Sequence, residues 1–234
     1  MRFIDFHAHV LPGLDDGSPD VGTSLEMLRK WSSLGVEKIV ATPHFDFRDI
    51  STEKFLKNRE DAYKNLTEAI SASGEHFCEI ALGAEIMYSS NIFGFVDLSS
   101  LSLAETPFVL VELSSELSSE KVSRIVSGLS YSDVILILAH TERYKDFSFL
   151  RKLKKLREAG VRFQVNFSSF LPSSHFFKTA DAMMRADMVD LLATDAHNMQ
   201  TRTPDFSESL RCMYKEYGKQ KIDRILERSV GYFG

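Results

Sequence analysis

Short apolar runs alternate along the chain with longer stretches in which apolar residues recur every three or four positions. Runs rich in β-branched and aromatic residues fall at Arg2 to Phe6, Glu37 to Ala41, Cys78 to Gly83, Phe108 to Val111, Val134 to Ala139, Arg162 to Val165 and Asp190 to Ala193. Between them the spacing turns helical. Leu25, Leu28, Trp31 and Leu34 share one face ahead of Gly35, and a second helix is predicted from Thr52 to Ala72, with Phe55, Leu66, Ala69 and Ile70 inward and Gly74 after it. A third, Phe149 to Ala159, sets Leu150, Leu153 and Leu156 on one side before Gly160. Weaker helical spacing runs over Glu120 to Leu129, Thr179 to Arg185 and Ser207 to Tyr217.

Strands separated mostly by helices read as successive βα units, which favours an α/β fold with a parallel sheet closed, or nearly closed, into a TIM-like barrel. An open doubly wound sheet is the alternative. Against it, the first strand leads into His7-Ala8-His9 and not into the Gly-rich turn of a dinucleotide fold. No internal repeat or linker divides the chain, and the one biased stretch is serine-rich, between Ser99 and Ser119, so residues 1–234 are expected to form a single domain.

Composition removes several partners. The 234 residues carry 28 basic against 33 acidic side chains, a formal net charge of −5 with no basic block at either end, which disfavours nucleic acid and anionic lipid surfaces. The longest apolar run, Val134 to Ala139, is far short of the roughly 20 residues that span a bilayer. Asp5 and His7 stand where a secretory signal needs its apolar core, and two cysteines, Cys78 and Cys212, suit a reduced cytoplasm.

The candidate chemistry collects at strand ends. His7 and His9 follow the first strand, His44 the second, His140 the fifth and His197 the seventh; Asp16, Glu85, Glu112 and Asp195 join them after the first, third, fourth and seventh. In an α/β barrel these ends share one face, where active sites form. Residues two apart in extended chain point the same way, so His7 with His9, and Asp195 with His197, can each grip one ion. Mixed imidazole and carboxylate donors suit Zn²⁺, Mn²⁺ or Fe ions, and this many donors exceed what one ion uses, so two or three metals are expected. Burying so many ionisable groups together without a cation would cost several kcal/mol per charge.

His76 and His175 lack that placement and read as structural. Asp5 is either an acceptor that orients a ligand imidazole or part of a salt bridge inside the barrel. Arg143 and Arg202 each follow a candidate ligand closely, and a guanidinium matches phosphate oxygens bidentately, so a phosphoryl substrate is expected. Phe45, Phe47 and Tyr144 are either walls of an aromatic pocket or packing residues. The run Arg151, Lys152, Lys154, Lys155, Arg157 alternates with leucines as a solvated helix face does. A hydroxide bridging two ions could attack phosphorus in line without a protein nucleophile. A cysteine phosphatase loop needs an arginine six positions after its cysteine, but Ala84 and Gly218 stand there.

These segments resemble the polymerase and histidinol phosphatase (PHP) superfamily, and within it the bacterial manganese-dependent tyrosine phosphatases of capsule and exopolysaccharide loci. The matching stretches are His7-Ala8-His9-Val10-Leu11-Pro12-Gly13-Leu14-Asp15-Asp16-Gly17, Ala41-Thr42-Pro43-His44, Gly83-Ala84-Glu85, Val111-Glu112, Ala139-His140-Thr141-Glu142-Arg143 and Ala193-Thr194-Asp195-Ala196-His197-Asn198. The resemblance implies a distorted (βα)7 barrel with three divalent metal ions, manganese foremost, with Fe, Zn, Co or Mg as alternatives. It implies that His7, His9, Glu85 and Asp195 hold the first ion, Glu85, Glu112 and His140 the second, and Asp16, His44 and His197 the third, with Arg143 and Arg202 on substrate phosphate. The implied substrate is phosphotyrosine on a polysaccharide-export tyrosine kinase. After His44, where some capsule phosphatases carry adjacent basic residues, this chain has Phe45-Asp46-Phe47-Arg48. Two other activities compete: a small-molecule phosphatase such as histidinol phosphatase, and a metal-dependent amidohydrolase. Amidohydrolase barrels also begin with a His-x-His pair but commonly place a lysine where Glu112 stands here.

Overall fold

The computed structural model describes residues 3–114, 116–144 and 148–234, with Phe95 described by its backbone alone. Its strands are β1 (Ile4–Ala8), β2 (Lys38–Ala41), β3 (His44–Phe45), β4 (Glu79–Leu82), β5 (Glu85–Met87), β6 (Phe108–Glu112), β7 (Ile135–Leu138), β8 (Arg162–Asn166) and β9 (Leu191–Ala193). The helices are α1 (Val21–Ser33), α2 (Thr52–Ser73), α3 (Ile92–Phe95), α4 (Ser119–Leu129), α5 (Phe149–Glu158), α6 (Phe177–Arg185), α7 (Ser207–Tyr217) and α8 (Lys219–Phe233). None is long and apolar enough to cross a membrane among the described residues.

Every strand pairing is parallel, in the orders β1-β2-β4 and β3-β5-β6-β7-β8-β9. Because β3 prolongs β2 and β5 prolongs β4, nine strands act as seven staves of one curled sheet. At its C-terminal end the sheet is drawn round into a ring. Ala8 bridges Ala196, His9 N donates to Ala196 O at 2.8 Å, and Asp195 N donates to His7 O at 3.0 Å. The expected α/β barrel is borne out, and the doubly wound alternative falls.

Two expected strands break in the middle, each for a local reason. Pro43 has no N–H to give the ladder between β2 and β3. Between β4 and β5, a Cβ on Gly83 would lie 2.6 Å from Leu103 Cδ2, so only glycine lets Leu103 lodge there. The breaks put His44 and Glu85 inside the short strands β3 and β5, not after strand ends. The first strand also runs later than expected. Its predicted start, Arg2, lies outside the described residues, and its end extends to Ala8, which carries the ring-closing bridge.

Strand alternation sorts the interior. Ile4, Phe6, Val40, Phe108, Leu110, Ile137, Ala139, Leu191 and Ala193 cluster inside the barrel, and Phe233 of α8 closes its base with its ring 5.1 Å from that of Phe6. Neighbouring residues such as Ile39, Val109, Leu138 and Val165 face the helices and form the larger core. Helix α1 buries Met27, Leu28 and Trp31, capped by Asp20, whose side chain accepts from Thr23 N. In α5 the buried face is Phe149, Leu153 and Leu156, which corrects the expectation for Leu150: it is 39% exposed, because Phe149 takes the inward place. Sequence reasoning missed α8, although Ile222, Ile225, Leu226 and Phe233 carry helical spacing.

Candidate metal centre

Inward alternation delivers several of the donors to the open end of the barrel. Glu112 continues the inner face of Phe108 and Leu110, Asp195 that of Leu191 and Ala193, and Gln164 and Asn166 line the inner face of β8. His7 departs from the alternation within its own strand. Its register with β2 shifts between Asp5 and Ala8, a bulge that turns His7 into the mouth while Asp5 faces outward toward α1. Among the described residues Asp5 therefore orients no ligand and makes no salt bridge: it accepts from Trp31 Nε1 at 2.8 Å, Thr194 Oγ1 at 2.6 Å and Thr194 N at 3.1 Å. His140 and Asp195, at the ends of β7 and β9, have φ of 28° and 54°. A left-handed backbone is uncommon for residues other than glycine, and both positions stand where the chain has just left its strand.

All nine candidate ligands meet there. Donor atoms within 4.8 Å of one another fall into the sets His7, His9, Glu85, Asp195; His9, Asp16, His44, His197; and His44, Glu85, Glu112. The first equals the set implied by the resemblance. In the second of the implied sets His44 stands beside Glu85 and Glu112, and His140 Nε2 is 2.8 Å from Glu85 Oε1 and 3.5 Å from Glu112 Oε2. To the third implied set, His9 is added.

Hydrogen bonds fix which nitrogen each ring presents. Gln164 Oε1 takes the His140 backbone N–H, so it accepts, and His7 Nδ1 at 3.2 Å from it must carry a hydrogen. His9 Nδ1 donates to Asp15 Oδ2 at 2.7 Å, and His197 Nδ1 to the Asp195 carbonyl at 3.0 Å. A neutral ring so held keeps its lone pair on Nε2. The Nε2 atoms of His7 and His9 stand 3.3 Å apart and 3.1 Å each from Glu85 Oε2, with Asp195 Oδ1 at 3.3 and 3.6 Å. Lone pairs facing one another at such distances repel, whereas ligands sharing a cation at bonds of about 2.1 Å stand about 3.0 to 3.4 Å apart. Glu85 Oε2 and His197 Nε2 are buried without a hydrogen-bond partner, so the residues present fit bound cations.

Without a cation, protons take those places. Burial opposes charge on His9, but the carboxylates of Asp15 and Glu85 beside it outweigh burial and raise its pKa to about 10. His140 is likewise held back by burial yet raised to about 9 by Glu112 and Glu85. Burial and the neighbouring charge of His9 push His197 down to about 3. Glu85 lies well below the usual carboxylate range because His7, His140 and His9 together overcome its burial.

The arginines complete the mouth. Arg143 Nη2 donates to Asp195 Oδ2 and Arg202 Nη2 to Asp195 Oδ1, each at 2.7 Å, and the two side chains are 31 and 35% exposed. Each guanidinium keeps further N–H groups open to a ligand.

A family model described as capsular polysaccharide synthesis, CpsB/CapC, matches residues 3–231. The chain belongs to the CpsB/CapC family. It is 26% identical to the tyrosine-protein phosphatase CpsB of Streptococcus agalactiae serotype III (strain NEM316), over 95% of this chain and 94% of that protein. It is 28% identical to the tyrosine-protein phosphatase YwqE of Bacillus subtilis (strain 168), over 93% of this chain and 86% of that one. A crystal structure from work on YwqE of Bacillus subtilis and CpsB of Streptococcus pneumoniae, titled as unique metal-dependent tyrosine phosphatases, shares the fold. Its TM-score is 0.85 at 24% identity, covering 98% of this chain and 94% of that one.

Around this CpsB/CapC site stand residues that sequence reasoning missed. Asp15 clamps three pieces of the mouth: Oδ2 binds His9 Nδ1 and accepts from His44 N at 3.0 Å, and Oδ1 accepts from Gly17 N at 2.9 Å. Its neighbour Asp16 drew attention as a donor, but nothing in the sequence distinguishes the clamp. Gln164 and Asn166 relay the His140 N–H to Asp195, because Gln164 Nε2 donates to Asn166 Oδ1 and Asn166 Nδ2 to Asp195 Oδ2. Glu142 is fully buried and accepts from Ser169 Oγ at 2.6 Å.

The pocket-wall expectation fails for two aromatics. Phe45 is buried against Phe55, ring centres 4.8 Å apart, and the Tyr144 hydroxyl, also buried, lies 2.9 Å from His140 Nδ1. Phe47 is half-buried against the core. His76 and His175, read as structural, are exposed. Burial pushes the Cys78 thiol up to about 11, which suits an inert cysteine.

Proposed function

We propose that residues 1–234 work as one metal-dependent protein-tyrosine phosphatase domain, acting in the cytoplasm on a phosphotyrosine protein, a polysaccharide-export tyrosine kinase. The metal ligands in this reading are His7, His9, Asp16, His44, Glu85, Glu112, His140, Asp195 and His197, for three divalent ions with manganese foremost. The observation that carries it is the meeting of imidazole lone pairs and carboxylates at 3.1 to 3.6 Å, beneath two half-exposed arginines. The relatives' activity, tyrosine-protein phosphatase, supports the substrate class.

Bound divalent ions would supply Lewis-acid polarisation of the phosphoryl oxygens and lower the pKa of water toward neutrality. The chain's own contribution is placement. Arg143 and Arg202, tethered to opposite oxygens of Asp195, turn their remaining N–H groups to the equatorial phosphate oxygens and match the charge that grows there. Asp15 and Gln164 hold the His9 and His7 rings so that Nε2 stays a ligand. No cysteine takes part.

Parallel assays on a phosphotyrosine peptide and on histidinol phosphate, each with added Mn²⁺, test the substrate. Turnover of the peptide that disappears on chelation is expected. Turnover of histidinol phosphate alone would overturn the substrate, and full activity after exhaustive chelation would overturn the metal.

A further inference from the structure

Helices α4 and α5 follow the strands that end in Glu112 and near His140, so their N-terminal turns stand on the same side of the barrel as the metal centre. Between them runs a groove of about 200 Å³ lined by Ser119, Val122, Ser123, Arg151, Lys152 and Lys155. Its chemistry is one-sided. Arg157 of α5 is paired with Asp190 at 2.7 Å, but Arg151, Lys154 and Lys155 have no acidic partner among the described residues. The whole chain carries a net charge of −5, so this concentration of unpaired cations is local. Leu150, beside Arg151, is one of the two exposed large hydrophobics among the described residues.

A solvated helix face needs no concavity and no surplus of one sign. We propose that this groove docks an acidic stretch of the phosphotyrosine polypeptide flanking the residue that enters the metal centre. The proposal rests on the phosphotyrosine reading above and gives it a sequence preference. Arg151 and Lys155, four apart on one helix face, stand about 6 Å apart along the axis, a spacing that meets successive outward carboxylates of an extended peptide. Ser119 and Ser123 offer hydroxyls along the facing helix. An anionic membrane is the competing partner for such cations, but a narrow groove with hydroxyl walls fits a chain better than a flat lipid surface.

The test compares wild type with the double variant Arg151→Glu/Lys155→Glu, using three substrates: a phosphotyrosine peptide flanked by glutamates, the same peptide with glutamines, and free phosphotyrosine. Binding of the two peptides to metal-loaded protein is followed separately by fluorescence anisotropy. Wild type should prefer the glutamate peptide, and the variant should raise its KM on the order of tenfold with kcat unchanged, an effect that shrinks with added salt. Free phosphotyrosine turnover should not change. Equal handling of both peptides by wild type, or equal loss for both in the variant, overturns the proposal. So does binding to phosphatidylglycerol vesicles that depends on these residues while peptide binding does not. If no phosphotyrosine substrate turns over, yet glutamate-dependent binding still weakens in the variant, docking stands and the activity falls.

Discussion

His7, His9, Glu85 and Asp195 are at most 1% exposed, whereas the side chains of Glu112, His44 and Asp16 are 15, 35 and 65% exposed. The buried four form a floor in which each member has a fixed partner outside the cluster or sits where strand alternation leaves it no alternative: Gln164 on His7, Asp15 on His9, Arg143, Asn166 and Arg202 on Asp195. The rim is different. Both nitrogens of His44 face carboxylates, Asp16 at 3.3 Å on one side and Glu85 and Glu112 at 3.3 Å on the other. A floor fixed by the fold would make any cations it holds part of the structure, and a rim of mutually facing donors would leave open the side from which substrate arrives.

The largest expected effect comes from the floor. Glu85 belongs to two of the three donor sets, so Glu85→Ala should lower kcat/KM by about a thousandfold or more, since losing metal-assisted charge stabilisation costs several kcal/mol. It should also lower the metal content of purified protein and its Tm. Asp16→Ala on the rim should reduce activity while leaving Tm within a degree or two of wild type. Elemental analysis beside thermal melts reads both, and matched Tm losses in the two variants would erase the distinction between floor and rim. Next comes Arg202→Ala, expected to cost about a hundredfold in kcat, in the range for one donor to developing transition-state charge. A KM-only effect would move Arg202 from transition-state binding to simple capture.

Much of this site was legible because it is written in strand periodicity and in side chains with few bland uses at strand ends. His7, His9, Asp195 and His197 announce themselves by spacing of two. What could not be read depends on contacts between distant segments. Asp15 looks like any loop aspartate until it meets His9 and His44 N, and Gln164 like a polar interruption of a strand until it meets His7. Asp5 misled for the converse reason: the bulge before Ala8 breaks the alternation that would have set it beside His7. Likewise Pro43 and Gly83 each split a stave that periodicity alone shows as one run.

Proton release sharpens the same contrast. His9 and His140 titrate near 10 and 9 in the metal-free site, both above the ordinary 6.5, because their carboxylate neighbours outweigh burial. Below pH 9 both rings carry an extra proton that a cation must expel. Apparent affinity for the full set of ions should rise by about a hundredfold per pH unit between pH 7 and 8, flatten through pH 9, and be level above about pH 10. The stability those charged rings give the metal-free protein is full below about 6.5 and is lost as pH rises through 9 to 10. Calorimetry in two buffers of different ionisation enthalpy should count about two protons released at pH 7.5. A count near zero would mean that both rings are neutral before metal arrives.

The smallest effect separates packing from positioning at Tyr144, which is 5% exposed. Its hydroxyl accepts from Leu113 N at 3.0 Å and meets His140 Nδ1 at 2.9 Å. A hydroxyl can give its hydrogen to Nδ1, or rotate and take one from it, and only the second arrangement leaves His140 Nε2 with a lone pair for an ion. Tyr144→Phe keeps the ring and strands both partners. It should weaken metal binding by about tenfold, at the low end for a residue that orients a ligand histidine. It should also cost about 1 to 3 kcal/mol of stability for the buried donor left unmade. Because the hydroxyl faces His140 and not the rim, KM for substrate at saturating metal should hold while the metal concentration for half-maximal activity rises. A variant that binds metal as wild type does, with only the melt lowered, would show that the hydroxyl serves the Leu113 backbone and leaves the imidazole to orient itself.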